Sequence, residues 1–118
     1  MFVRKSIFES VGKWDQDYFV FGEDVDMCYR IKEKGFKIMY LPQFEAVHYK
    51  GVSVGIRKES KDVSKASPET KRKITKSTTE AMALFYKKHY SKKYPEFLTA
   101  LVLIIIGVLG KIREARLN

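Results

Sequence analysis

Apolar and polar positions change period several times along the chain. Met1-Phe2-Val3 reads as a short strand entering a turn. Ser6 stands where an N-cap is expected, with Glu9 three residues on as its capping-box partner. Ile7, Phe8 and Val11 then share one face of a short helix that stops at Gly12. A polar loop from Lys13 to Asp17 follows, and Tyr18 to Phe21 is an apolar, aromatic run suited to a buried strand or a pocket wall. The next spacing predicts a helix from Glu23 to Lys34 with Gly35 as its stop. Asp24, Cys28 and Ile31 lie at i, i+4 and i+7, which places Asp24 at the head of the apolar stripe. Asp26, Arg30 and Glu33 form the polar stripe, with Asp26 and Arg30 a favourable pair pointing outward.

Further on, Phe36 to Leu41 alternates as a strand does, and Pro42 ends it. Glu45 to Tyr49 reads as a second short strand or edge segment, and Lys50 to Ser67 as a long loop, functional or disordered. Ser67 and Pro68 mark the start of a helix running to about Tyr90. Phe97 to Gly110 is then fourteen residues without a charge. That run makes a helix about 21 Å long at 1.5 Å per residue, short for a bilayer span. It fits a helix lying in a membrane surface with a cationic rim, a helix buried against other protein, or a short span.

Composition narrows the class. At 118 residues the chain holds one domain at most, with a modest core. Cys28 is the only cysteine, so no internal disulfide forms. The net charge of +9 resides in the middle: residues 50–93 carry 13 basic and 4 acidic side chains, whereas residues 1–49 carry 7 and 8. Such a segment suits an anionic partner or a solubilising face. The basic stretch lacks the interleaved aromatics of a single-strand binder, so nucleic acid is not expected. Met1 to Lys5 has neither the n-region nor the cleavage site of a signal peptide.

Three carboxylates, Glu23, Asp24 and Asp26, open the central helix. Capping and dipole complementarity alone explain acids there. A place at the head of the apolar stripe would also desolvate Asp24 and suit it to general-base work. His48 sits in an apolar strand, where a hydrogen-bonded core histidine and a metal ligand are both open readings; one histidine makes no metal site. Trp14 suits stacking on a ring or a hydrophobic plug.

The segments Phe2 to Asp15, Phe21-Gly22-Glu23-Asp24-Val25-Asp26-Met27-Cys28-Tyr29-Arg30, Gly35-Phe36-Lys37-Ile38 and Val47-His48-Tyr49-Lys50-Gly51 together resemble the second half of family 2 glycosyltransferases. The rhamnosyltransferase-like members with a GT-A fold are closest in style. The resemblance covers roughly residues 1–55. It implies transfer of a sugar from a nucleotide-diphosphate sugar to a glycan or lipid-linked acceptor, with inversion, in cell-surface polysaccharide synthesis. It implies Asp24 as the general base, Glu23 as an acceptor-positioning group, Trp14 and Asp15 on the acceptor side, and His48 as a ligand to a divalent metal (Mg or Mn) on the diphosphate.

The family's Rossmann-like first half, with its Asp-x-Asp motif, is not in this chain. The expectation is therefore a rear half, from a truncated gene product or one chain of a two-chain enzyme, needing a complementing N-terminal half. The expected fold class is α/β: the C-terminal portion of a GT-A (Rossmann-like) domain followed by two C-terminal helices. Residues 1–55 would form the acceptor and catalytic half, 56–93 a basic loop and helix, and 94–118 an apolar membrane-associating helix at the cytoplasmic face of the cell membrane, against an anionic surface. The competing reading is a non-catalytic remnant acting only as a basic membrane-surface module.

Overall fold

A computed structural model describes residues 1–43, 45 and 67–116. Four helices make up its regular structure: α1 (Lys5–Ser10), α2 (Glu23–Glu33), α3 (Pro68–His89) and α4 (Glu96–Ala115). The described residues contain no strand, which corrects the expected α/β class to a helical one. The reason lies in the two described stretches expected to be strands. A strand is held by ladder bonds to a neighbour, and neither residues 1–3 nor 36–41 has one. Phe2 is fully exposed and Tyr40 is 88% exposed. Alternation along 36–41 thus organises side chains without supplying a partner for the backbone. The expected segment 45–49 lies outside the described residues except for Glu45.

The helix ends follow local chemistry. After α2 the N–H of Phe36 donates to Ile31 O (3.2 Å) and that of Gly35 to Lys32 O (2.9 Å). This paired pattern is a Schellman motif, and Gly35 takes the positive φ (81°) it demands. The turn after α1 repeats it, with Lys13 N donating to Phe8 O (2.9 Å). At the other end of α1 the expected capping box does not form: the N-cap is Arg4, and Ser6 lies inside the helix. Ser67 does cap α3, its hydroxyl accepting from Thr70 N (3.1 Å), with Pro68 following where a missing N–H costs nothing.

Two packed units result. In the first, Val11, Met27 and Ile31 are buried together, with Val3, Ile7 and Phe8 against them, so α1 lies across α2. In the second, α4 folds back along α3. They pack tightly at Gly110, where an added Cβ would stand 2.7 Å from Thr79 Cγ2. The units meet where α2 faces the end of α3. There the Tyr29 ring packs edge-on to Phe85 (5.5 Å) and to Tyr90 (5.7 Å), and Lys93 reaches Glu33 (3.0 Å). No helix of the described residues is long and apolar enough to cross a membrane.

Candidate functional site

Asp26 is the most buried charged residue of α2, at 0% exposure. A carboxylate removed from water needs charged or hydrogen-bonding partners, and Asp26 has three. Arg30 Nε donates to Oδ2 at 2.7 Å, His89 Nε2 lies 2.6 Å from Oδ1, and the Tyr18 hydroxyl reaches Oδ1 at a long 3.3 Å. A carboxylate only accepts, so the hydrogen on His89 is at Nε2. The imidazole is held between the rings of Tyr29 (4.2 Å) and Phe85 (4.8 Å). Burial pushes the Tyr18 phenol well above its ordinary range, and the neighbouring Asp26 charge adds to it, so Tyr18 remains a donor.

Arg30 extends this network. Its two remaining nitrogens donate to the carbonyls of Val11 and Lys13, the latter at 2.9 Å. Asp26 therefore anchors the turn that leads into Trp14 and Asp15. Lys88, one residue before His89, holds the same loop from α3: its ammonium bonds the Asp15 carboxylate and Asp17 Oδ2 (2.6 Å). Partial burial alone would raise Asp15, but the Lys88 hydrogen bond and charge bring its carboxyl below the usual range. Partial burial likewise opposes the Lys88 charge, and its two carboxylates outweigh this and raise it above the ordinary lysine value. Trp14 is half exposed and meets Phe8 edge-on at 5.9 Å.

The Glu23-Asp24 pair stands at the head of α2, reached through Gly22. This glycine adopts φ 97°, and a Cβ there would lie 2.9 Å from the Tyr18 ring and 3.2 Å from Ala81 Cβ. Only a residue without a side chain lets the aromatic run turn into the helix so close to α3. Asp24 is exposed, its Oδ1 accepting from Val25 N at 2.8 Å. Glu23 is half-buried, and its Oε2 is buried with no hydrogen-bond partner among the described residues.

These positions reverse the expected faces of α2. The inward stripe is Met27 and Ile31 with Asp26 beside them, whereas Asp24 faces solvent. The desolvation expected at Asp24 is therefore absent, and the Asp26–Arg30 pair points in, not out. Ile31 belongs to both candidate stripes, and periodicity could not choose between them. The choice comes from Val11 and His89, which approach from distant parts of the chain. The sequence signals that were present were the i,i+4 spacing of Asp26 and Arg30 and the aromatic-flanked His89 at the end of a helix. His48 lies outside the described residues. Among the described residues no three His, Cys, Asp or Glu side chains converge to hold a metal ion.

The sequence pattern of the glycosyltransferase-like family 2 matches residues 1–89, from before α1 to the end of α3. The chain belongs to that family. The match takes in every member of the Asp26 network, including Lys88 and His89, and leaves out α4. Among curated proteins, the rhamnosyltransferase WbbL of Escherichia coli K12 is 45% identical over 49 residues, 42% of this chain and 19% of that protein. The N-acetylglucosaminyl-diphospho-decaprenol L-rhamnosyltransferase of Mycobacterium tuberculosis is 40% identical over 55 residues, 47% of this chain and 18% of that protein. The shared segments thus span less than a fifth of these curated relatives. No solved structure matches the chain. In this chain, the Glu23-Asp24 pair is held on a helix that the Asp26 network ties to both the Trp14-Asp15 loop and α3.

Proposed function

We propose that this chain is the acceptor-side segment of an inverting sugar transferase, with Asp24 as general base and Glu23 as the group that orients the acceptor. The observation that carries this reading is the unequal state of the two adjacent carboxylates. Glu23 offers a buried oxygen without a partner among the described residues, a position that a hydroxyl donor would satisfy. Asp24 is open to solvent beside it, within reach of an incoming acceptor. As the acceptor oxygen attacks the anomeric carbon, its proton passes to Asp24. The bond from that carbon to the diphosphate oxygen breaks, and the nucleotide diphosphate departs with the electron pair. One in-line displacement inverts the anomeric centre.

Trp14 and Asp15 would line the acceptor side, since their loop is fixed to α2 through Arg30 and to α3 through Lys88. The relatives' names suggest an L-rhamnosyl donor and, from the mycobacterial protein, a sugar-diphospho-polyprenol acceptor. Donor binding would be supplied by a complementing nucleotide-binding half. A divalent metal (Mg or Mn) would offset charge on the departing diphosphate, with His48 as this chain's contribution to holding it. The described residues build no such centre themselves, and no step of the proton transfer passes through it.

The test is transfer of labelled sugar to a lipid-linked acceptor by the chain supplied with a nucleotide-binding half. Asp24→Asn should lower kcat by at least about a hundredfold, the usual worth of a positioned base. Near wild-type turnover in that variant would overturn the assignment.

A further inference from the structure

Helix α4 is apolar nearly all round, and α3 covers only one side of it. Ile106 and Gly110 are buried against α3, with Thr99, Val102 and Leu103 half-buried. The opposite stripe, Phe97, Leu101, Ile104, Ile105, Val108 and Ile112, is exposed, from 44% at Ile112 to 76% at Phe97. Those positions recur at three- and four-residue intervals, so they form one continuous strip about 22 Å long. Several hundred Å² of contiguous apolar surface marks an interaction site on a water-facing helix.

At one end this strip runs into charge. Lys111 follows Ile104 by seven residues and Val108 by three, so it continues the strip's edge. There it enters an open cleft of about 670 Å³ between the end of α4 and the first turns of α3. Arg72, Lys73, Lys76 and Lys111 line the cleft against Glu69 and Glu114. From Pro68 to Arg116 the two helices carry eleven Lys or Arg and four Asp or Glu.

We propose that the outer stripe of α4 and this basic cleft form one docking surface, and that its occupant is an anionic lipid bilayer. The stripe would lie in the plane of the headgroup boundary, since α4 is not a spanning helix. The cations at its end would sit among lipid phosphates. Charge complementarity selects this occupant. A second copy meeting the first through the same face would bring two chains of net charge +9 together, with cationic clefts at the seam. An anionic bilayer matches both halves of the surface: apolar interior for the stripe, phosphate for the cleft. Each Lys or Arg near such a surface strengthens binding about fivefold, and the stripe adds a part that salt does not screen. The α4 stripe and Lys111 lie outside the residues matched by the family, whereas the α3 side of the cleft lies within them, and neither part includes a residue assigned to the transfer chemistry.

The experiment is sedimentation of the full chain with vesicles of phosphatidylcholine alone and of phosphatidylcholine with phosphatidylglycerol. The chain should bind the anionic vesicles at least about tenfold more tightly, with a fraction retained in high salt. Ile104→Glu/Ile105→Glu should abolish that retained fraction at unchanged helical circular dichroism, because both side chains are exposed. Ile104→Ser/Val108→Ser gives the same reading should the glutamates disturb α4. Lys73→Glu/Lys76→Glu should remove the preference for anionic vesicles while leaving the salt-resistant part. Three results would overturn the proposal: binding indifferent to the stripe variants, no binding to either vesicle, or a salt-stable dimer in light scattering that the stripe variants dissolve without vesicle binding.

Discussion

His89 Nε2 lies 2.6 Å from Asp26 Oδ1, and this contact joins the last turn of α3 to the first turns of α2 across 63 residues of sequence. Asp26 is fully buried, so the contact is as much a requirement as an attraction. A carboxylate without its partners, or partners without the carboxylate, would leave uncompensated charge in the interior. Asp26→Ala should therefore destabilise the fold by about 3–5 kcal/mol, read by urea or thermal unfolding. Asp24→Ala, two residues away but exposed, should change stability by no more than about 0.5 kcal/mol. Equal effects at the two positions would show that Asp26 is not the structural member of the carboxylate cluster.

The two acids at the head of α2 should separate in activity as well. In the complemented enzyme, Asp24→Asn should act on kcat. Glu23→Gln should act chiefly on the acceptor KM, raising it about tenfold, because the amide keeps the size of the side chain but changes what it can accept. Measurement of acceptor and donor KM separately distinguishes them, since neither residue is assigned to donor binding.

The Asp15–Lys88 link predicts a pH dependence at both extremes. Asp15 is held low in the folded chain, so its contribution is complete above the unfolded value, about pH 4, and is lost as pH falls through the folded value. Lys88 is held high, so its contribution is complete below about pH 10 and is lost as pH rises through its folded value. Asp15→Asn should lower the urea midpoint at neutral pH and converge on wild type under acid conditions. A gap that stays constant with pH would remove the ion pair as its cause.

Gly22 is a steric requirement with a readable penalty. Gly22→Ala adds a methyl group against Tyr18 and Ala81 and forces a positive φ on a residue that rarely adopts it. A loss of about 1–3 kcal/mol is expected by thermal unfolding. The same change should weaken acceptor binding if Gly22 sets the entry of the chain into the Glu23-Asp24 turn.

Several local features of this protein that depend on neighbours in the chain were legible from sequence, although the capping box expected at Ser6 and Glu9 did not form. Helix α2 ends at the glycine expected to stop it, and α3 begins at the Ser67-Pro68 pair whose cap chemistry predicts it. Family membership was legible from the order of several short motifs together, Phe2 to Asp15, Phe21 to Arg30, Gly35 to Ile38 and Val47 to Gly51. Long-range relations were not. Which face of α2 points inward depends on Val11 and on His89. Periodicity counts apolar residues and so ranked Asp26, whose burial is made possible by Arg30 and His89, as a surface position. Residues 36–41 carry the alternation of a strand, yet that pattern reports preference for a pleated surface and not the presence of a neighbour. The α/β expectation failed at that point.

The contact of Gly110 with Thr79 has a consequence for α4. A helix greasy on every side has no hydrophobic reason to present one side rather than another to its neighbour. A missing side chain breaks that degeneracy: at Gly110 the Thr79 side chain fills the space where a Cβ would stand, and that notch indexes the rotation of the whole helix. Which six side chains are left facing outward is thus decided by shape rather than by greasiness. A bulky residue at position 110 should turn the helix about its axis and offer a different strip to the surroundings.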